Sequence, residues 1–283
     1  MVELLARADV VVDATLGAGG HAEALLGAGV RRVVGVDRDP DALAEASDRL
    51  APFGDRFTGI LARFSELGDA VREAGVGPAA AGGVLFDLGV SSMHLDRPGR
   101  GFSYRASGPL DMRMGGAGDG PSAADVVNTY PEVDLARVIF ELGEERFSRR
   151  IAGAIVRARS RSPIATTDEL AAIVAGAVPR TRGGGHPARR TFQALRIEVN
   201  RELEEVAASL PQATDLLEQG GTLVVISYHS LEDRIVKRYV AGADGLRAVT
   251  KKPVRPSAAE AASNPRARSA KLRAAERVEG AAA

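Results

Sequence analysis

The segment Asp13-Ala14-Thr15-Leu16-Gly17-Ala18-Gly19-Gly20-His21 puts three glycines, a carboxylate and an imidazole within nine residues. Glycines at Gly17, Gly19 and Gly20 let backbone approach a ligand where a side chain would collide, and a loop that feeds a helix presents N–H groups to a nucleotide-type ligand. Asp37 stands 18 residues after Gly19, where a carboxylate meets the two ribose hydroxyls of an adenosine-containing ligand. The competing role for Asp37 is a helix N-cap, but in Asp37-Arg38-Asp39-Pro40 the better cap is Asp39. His21, just inside a helix, reads either as a ligand contact or as a surface or capping residue. A third carboxylate, Asp87, opens the turn Asp87-Leu88-Gly89-Val90-Ser91-Ser92.

These residues need a sheet whose strands end together. Val10-Val11-Val12 before Asp13, Val33-Val34-Gly35-Val36 before Asp37, and Gly83-Val84-Leu85-Phe86 before Asp87 are short apolar runs that each end at an acid, and they read as buried parallel strands. Helix-like stretches at 23–26 and 40–50 lie between them, which makes a βαβ progression. A fourth strand is expected at 221–228, preceded by a helix at 197–217 that breaks near Pro211. Between the third and fourth strands, Leu135, Val138, Ile139 and Leu142, then Ile151, Ile155 and Val156, recur at helical spacing, and Thr167 caps a helix before Asp168-Glu169. The fold expected is α/β, a Rossmann-like sheet at 1–103 and 201–245 with a small helical insertion at 104–200. Residues 115–120 and 181–187 read as mobile loops, and 246–283 as a poorly packed basic tail.

The 283 residues are 45% hydrophobic with zero formal charge, enough for a sizeable core. The absence of cysteine excludes disulfides, cysteine-held zinc or iron–sulfur centres, and thiol catalysis. The four histidines, at 21, 94, 186 and 229, lack the pairing of a helical metal motif, so no metal is expected. No apolar run reaches the length of about 20 residues that a membrane span needs, and no signal peptide is evident, so a soluble cytoplasmic protein is expected. Charge is segregated. Residues 1–145 carry 13 basic and 23 acidic side chains, and 146–201 carry 12 basic and 3 acidic. Such a block is either a solvated face or a surface for a polyanion. With aromatics at 4% and no tryptophan, arginine would have to carry nucleic-acid binding.

Taken with Pro109-Leu110-Asp111-Met112-Arg113-Met114, Arg190-Thr191-Phe192-Gln193-Ala194-Leu195-Arg196 and Ser227-Tyr228-His229-Ser230-Leu231-Glu232-Asp233-Arg234, the loops at Asp13 and Asp87 resemble one family closely over residues 2–240. That family is the ribosomal RNA small subunit methyltransferase H family. The resemblance implies a class I methyltransferase fold and an S-adenosylmethionine-dependent enzyme that methylates the N(4) amine of a decoding-centre cytidine in 16S ribosomal RNA, with the assembled small subunit as substrate. It further implies cofactor contacts at Gly17, Gly19, Gly20, His21, Asp37, Phe64 and Asp87, and at His94 where the family often has glutamine. Phe64 taken alone reads as core. Oligomeric state stays open, a dimer among the options.

The sulfonium already makes the methyl group electrophilic, so the protein's task is in-line positioning of an amine whose lone pair is delocalised into the ring. An acceptor for the amine N–H would favour a more reactive nitrogen. Asp87 is the first candidate, with Tyr228, His229 and Ser230, and also Ser91 and Ser92, at neighbouring strand ends; the alternative for Asp87 is a cofactor or turn residue only. A base in structured RNA must swing out, which costs a few kcal/mol of unstacking that phosphate contacts recover. Arg146, Arg149, Arg150, Arg157, Arg180, Arg182, Arg189 and Arg190 are the expected RNA face.

Two features depart from pattern. The family usually carries an extra segment with a His-x-Pro-Val-type stretch ahead of Met1-Val2-Glu3-Leu4-Leu5, and a chain without it is expected to turn over poorly if that segment lids the site. Asp87 is followed by Leu88-Gly89-Val90 rather than by the Pro-Pro-aromatic loop of many amino-group methyltransferases, an oddity the family shares. Three rivals stand beside this reading. One is an NAD-dependent oxidoreductase, disfavoured because the loop lacks the third glycine of the dinucleotide fingerprint. The others are an RNA-binding module with a relic cofactor site, and a methyltransferase for protein or small molecules.

Overall fold

The computed structural model describes residues 1–179 and 185–279. These form two compact units, one of residues 1–89 and 203–279, the other of residues 90–179 and 185–202.

The first unit is built on a seven-stranded sheet. Its strands are β1 (Val10–Asp13), β2 (Arg32–Asp37), β3 (Phe57–Leu61), β4 (Ala81–Asp87), β5 (Leu217–Ser227), β6 (Leu246–Ala248) and β7 (Lys271–Arg277). Their order is β3-β2-β1-β4-β5-β7-β6. The first five are parallel, whereas β7 runs antiparallel to both β5 and β6. Val11, Val12, Val33, Val34, Val84 and Leu85 are fully buried, as expected of a parallel sheet covered on both faces, so the three valine-rich runs are strands that each end at an acid. The order reverses between β1 and β4, which opens a crevice at their carboxyl ends where such sheets bind ligands. This is the Rossmann-like α/β sheet expected.

Helix α1 (Val2–Leu5) precedes β1, α2 (Gly20–Gly27) and α3 (Pro40–Leu50) connect the first strands, and α4 (Leu67–Glu73) leads to β4. Asp39 caps α3, its side chain accepting from the Asp41 N–H at 3.1 Å, with Pro40 in the first turn. Gly35 in β2 is required by packing: a Cβ there would meet Leu16 Cδ1 at 2.6 Å. That contact seats the glycine loop on the sheet.

The second unit holds α5 (Ser92–Asp96), α6 (Ala123–Thr129), α7 (Glu132–Glu141), α8 (Ser148–Arg159), α9 (Thr167–Ala177) and α10 (Arg189–Asn200). Leu135, Val138 and Ile139 of α7 and Ile151 and Ile155 of α8 are fully buried, as their spacing predicts. The insertion begins earlier than position 104, because Val90, Leu95 and Phe102 pack into the same cluster as Leu110, Leu135 and Phe192. The cap of α9 is Thr166, in a capping box with Glu169, rather than Thr167, whose hydroxyl is drawn inward to the Ala106 carbonyl at 2.8 Å.

Three further expectations are corrected. The break between α10 and α11 (Glu202–Leu216) falls at Arg201, which adopts a left-handed φ of 52°. Pro211 lies inside α11, where it forfeits one intrahelical bond without ending the helix. Residues 246–279 are not a loose tail, since β7 inserts into the sheet and buries Ala274 and Ala275. Its basic side chains have partners: Arg273 Nε and Lys271 Nζ reach Asp233 at 2.7 and 3.3 Å, and Arg277 donates to the Thr214 carbonyl. Residues 115–120 form a turn in which the Gly115 N–H donates to Asp119 at 3.0 Å.

Candidate active site

The first unit gathers its polar chemistry at the carboxyl ends of β1, β2, β4 and β5. Asp13 at the end of β1 is fully buried; its Oδ1 accepts from the Thr15 N–H at 3.2 Å, and its Oδ2 has no hydrogen-bond partner. Burial pushes its carboxyl up to about 6 against the pull of His21, with repulsion from Asp87 and Asp37 adding to the rise.

The loop turns through left-handed conformations at Gly17 (φ 52°) and Gly19 (φ 79°). A Cβ at Gly19 would also press on Leu50 and Ala46 at 3.1 and 3.2 Å, whereas a Cβ at Gly20 would meet open space. Gly19 is therefore demanded by the chain itself, and Gly20 is left as the glycine with room beside it. Asp37 is tied into the same loop: Oδ2 accepts from the Gly17 N–H at 2.7 Å and Oδ1 from the Asp39 N–H at 2.9 Å. It is not the cap of α3, and it fixes the loop relative to β2.

Asp87 at the end of β4 is the hub. Its Oδ2 lies 3.1 Å from His21 Nε2, its Oδ1 accepts from the Tyr228 hydroxyl at 3.0 Å, and its backbone N–H donates to Thr15 Oγ1 at 2.6 Å. The hydrogen bond that His21 donates to Asp87 holds its imidazole above the usual range, the Asp87 and Asp13 charges adding to the effect and outweighing burial. Burial first, then the Asp87 carboxylate, pushes the Tyr228 phenol upward, so it stays a proton donor at neutral pH. Gly89, at φ 100°, holds the turn after β4 in a left-handed conformation, and a Cβ added there would lie 3.6 Å from the Tyr228 ring. Phe64, just after β3, meets Phe86 edge-on with centroids 6.2 Å apart, so it stays half-buried against the sheet core.

The remaining candidates divide. His229 caps α12 (Ser230–Gly242): its Nδ1 accepts from the Glu232 N–H at 3.4 Å, and Nε2 lies 3.1 Å from Glu232 Oε1. That ring serves the helix start, and Ser230 is the first helical residue. His94 belongs to the second unit. It is buried, completes a capping box with Ser91 at the start of α5, and packs on Phe102 with centroids 4.7 Å apart.

Of the basic candidates, Arg146 and Arg150 lie over the Phe147 ring at 4.6 and 5.9 Å, and Arg190 donates to the Glu144 carbonyl at 3.0 Å. With exposed Arg149 they surround the turn between α7 and α8. Arg157 is exposed but lies about 12 Å further along α8 at 1.5 Å per residue. Exposed Arg189 opens α10, and Arg180 and Arg182 fall outside the described residues. Sequence reasoning overlooked Thr15, whose hydroxyl pins β4, and left Asp13 off the site; an acid ending a buried valine run was the available signal.

The carboxylates of Asp13, Asp37 and Asp87, one with an orphaned buried oxygen, fit a cationic, adenosine-bearing molecule such as S-adenosylmethionine better than an anionic dinucleotide. A family model described as the MraW methylase family matches residues 2–278. The "Ribosomal RNA small subunit methyltransferase H" of Nocardioides sp. is 51% identical, over 97% of this chain and 92% of that protein. The protein of the same name from Methylobacterium sp. is 53% identical, over 95% and 85%. A solved rRNA methylase from Streptococcus thermophilus is 16% identical with a TM-score of 0.46, over 98% of this chain and 92% of that one.

Proposed function

Because the chain belongs to the MraW methylase family, we propose that it methylates the exocyclic N(4) amine of a decoding-centre cytidine in bacterial 16S ribosomal RNA, acting on the small ribosomal subunit in the cytoplasm. S-adenosylmethionine is the cofactor, and it supplies an electrophilic methyl group. Gly17, Gly19, Gly20 and His21 would hold its amino acid end, Asp37 its ribose and Phe64 its adenine, with Asp13 and Asp87 compensating its positive charge. The cofactor role of His94 and the RNA role of Arg146, Arg149, Arg150, Arg157, Arg189 and Arg190 belong to the same proposal.

The observation that carries the mechanism is the clamping of Asp87. Its two oxygens each have one partner in His21 and Tyr228, and a carboxylate oxygen accepts more than one hydrogen bond. Asp87 can therefore accept an N–H of the substrate amine while its orientation stays fixed, which localises the nitrogen lone pair toward the methyl group. His21 and Tyr228 act as positioning residues through Asp87. Among the described residues no helix is long and apolar enough to cross a membrane.

The test is transfer of radiolabelled methyl from S-adenosylmethionine to small subunits lacking the modification, followed by nucleoside mass spectrometry, with Asp87→Ala as control. Label in N(4)-methylcytidine is the expected result. Label in protein, in a small molecule or at another base would overturn the assignment.

A further inference from the structure

Tyr104 and His186, far apart in sequence, form a stacked pair in the second unit with centroids 4.6 Å apart and planes 14° from parallel. Tyr104 is half-buried and meets buried Phe192 edge-on at 5.6 Å, so the pair is anchored to the helical core. His186 is exposed. With one ring face on Tyr104, the exposure it keeps is that of the opposite face and edge. Its Nδ1 accepts the Ala188 N–H at 3.2 Å, which places the proton of the neutral ring on Nε2 as a donor. Two exposed arginines neighbour the pair along the chain. Arg105 follows Tyr104, and the backbone N–H of Arg189 donates to the His186 carbonyl at 3.0 Å. Neither guanidinium has an ion-pair partner among the described residues.

A preorganised, exposed ring with an N–H donor, flanked in the chain by arginines without ion-pair partners among the described residues, matches what single-stranded RNA presents: a π-face, base-edge acceptors and phosphates. We propose that His186, backed by Tyr104, is a docking step for one unpaired base of the substrate RNA, with Arg105 and Arg189 on the adjoining phosphates. This rests on the RNA methyltransferase reading above and names a specific contact within it. The contact is a stacking one, which low aromatic content had argued against as the principal mode of binding; here it supplements arginine rather than replacing it.

The test uses the full chain with small ribosomal subunits, measuring kcat and KM for methyl transfer, and S-adenosylmethionine affinity separately. His186→Ala is expected to raise KM for subunits about tenfold, more than it lowers kcat, and His186→Phe, which keeps the stack, to recover most of the loss. The double change Arg105→Ala with Arg189→Ala is expected to lower the salt dependence of subunit binding. KM within twofold of wild type for His186→Ala, or a Phe variant as impaired as Ala, overturns the proposal even though wild type transfers methyl. Should His186→Ala fail to fold, an unchanged salt slope in the arginine variant overturns it instead. A wild-type chain that binds cofactor but methylates no RNA refutes the functional reading itself, a separate outcome.

Discussion

His21 Nε2 and Asp87 Oδ2 lie 3.1 Å apart, joining the first turn of α2 to the end of β4 at the carboxyl edge of the sheet. The pair couples the glycine loop proposed to hold the cofactor to the carboxylate proposed to orient the substrate amine.

Replacing Asp87 with Asn tests that coupling. The hydrogen bond that His21 donates to Asp87 is the largest cause of its raised pKa, and burial opposes it. In Asp87→Asn, His21 should titrate at or below the ordinary histidine value, as read by NMR titration of its ring. For wild type, a histidine raised on folding contributes stability that is fully present below its unfolded pKa and lost as pH rises through the folded one. An unmoved His21 titration in the variant would falsify the pairing.

Tyr228→Phe removes the donor to Asp87 Oδ1 while keeping the ring against Gly89. A hydrogen bond to a charged acceptor contributes about 1.5–3 kcal/mol, and the lower end applies to this half-buried group. Denaturant unfolding should show that loss, and methyl transfer should slow more through kcat than through cofactor affinity.

Asp13→Asn should stabilise the protein at neutral pH. The Asp13 carboxyl rises on folding from 3.8 to about 6, so the native state binds more protons than the unfolded chain between those values. Stability therefore falls as pH rises through that window, by on the order of 2–3 kcal/mol. The Asn variant, which keeps an acceptor for the Thr15 N–H, should be more heat-stable than wild type at pH 8 and equal to it near pH 3.5. Weaker S-adenosylmethionine binding should accompany that gain, as measured by calorimetry.

Arg273→Ala probes how firmly β7 is held in the sheet. Asp233 is held below the usual carboxylate range because Arg273 and Lys271 outweigh its partial burial. A depressed carboxylate contributes stability that is present above its unfolded pKa and lost as pH falls through the folded one. The variant should be less stable at pH 7 and show a flatter acid limb in thermal melts, with earlier proteolysis in residues 246–279 if β7 detaches.

Valine runs ending at Asp13, Asp37 and Asp87 determined the parallel strands and their shared edge, because a strand buried on both faces has to be continuously apolar and its polar end marks where the sheet stops. The Asp39-Pro40 cap and the periodicity of α7 and α8 were legible for the same local reason. The sequence could not locate β3 or β7. The run Phe57–Leu61 lies at a sheet edge with little burial, and Lys271–Arg277 reads as solvated until Asp233 and Thr214 supply partners from elsewhere. Likewise the types of His21, Asp87 and Tyr228 were readable, but their convergence was not. Side chains 66 and 141 residues apart meet only because β1, β4 and β5 are neighbours, and strand order is set by packing of the whole sheet rather than by any local pattern.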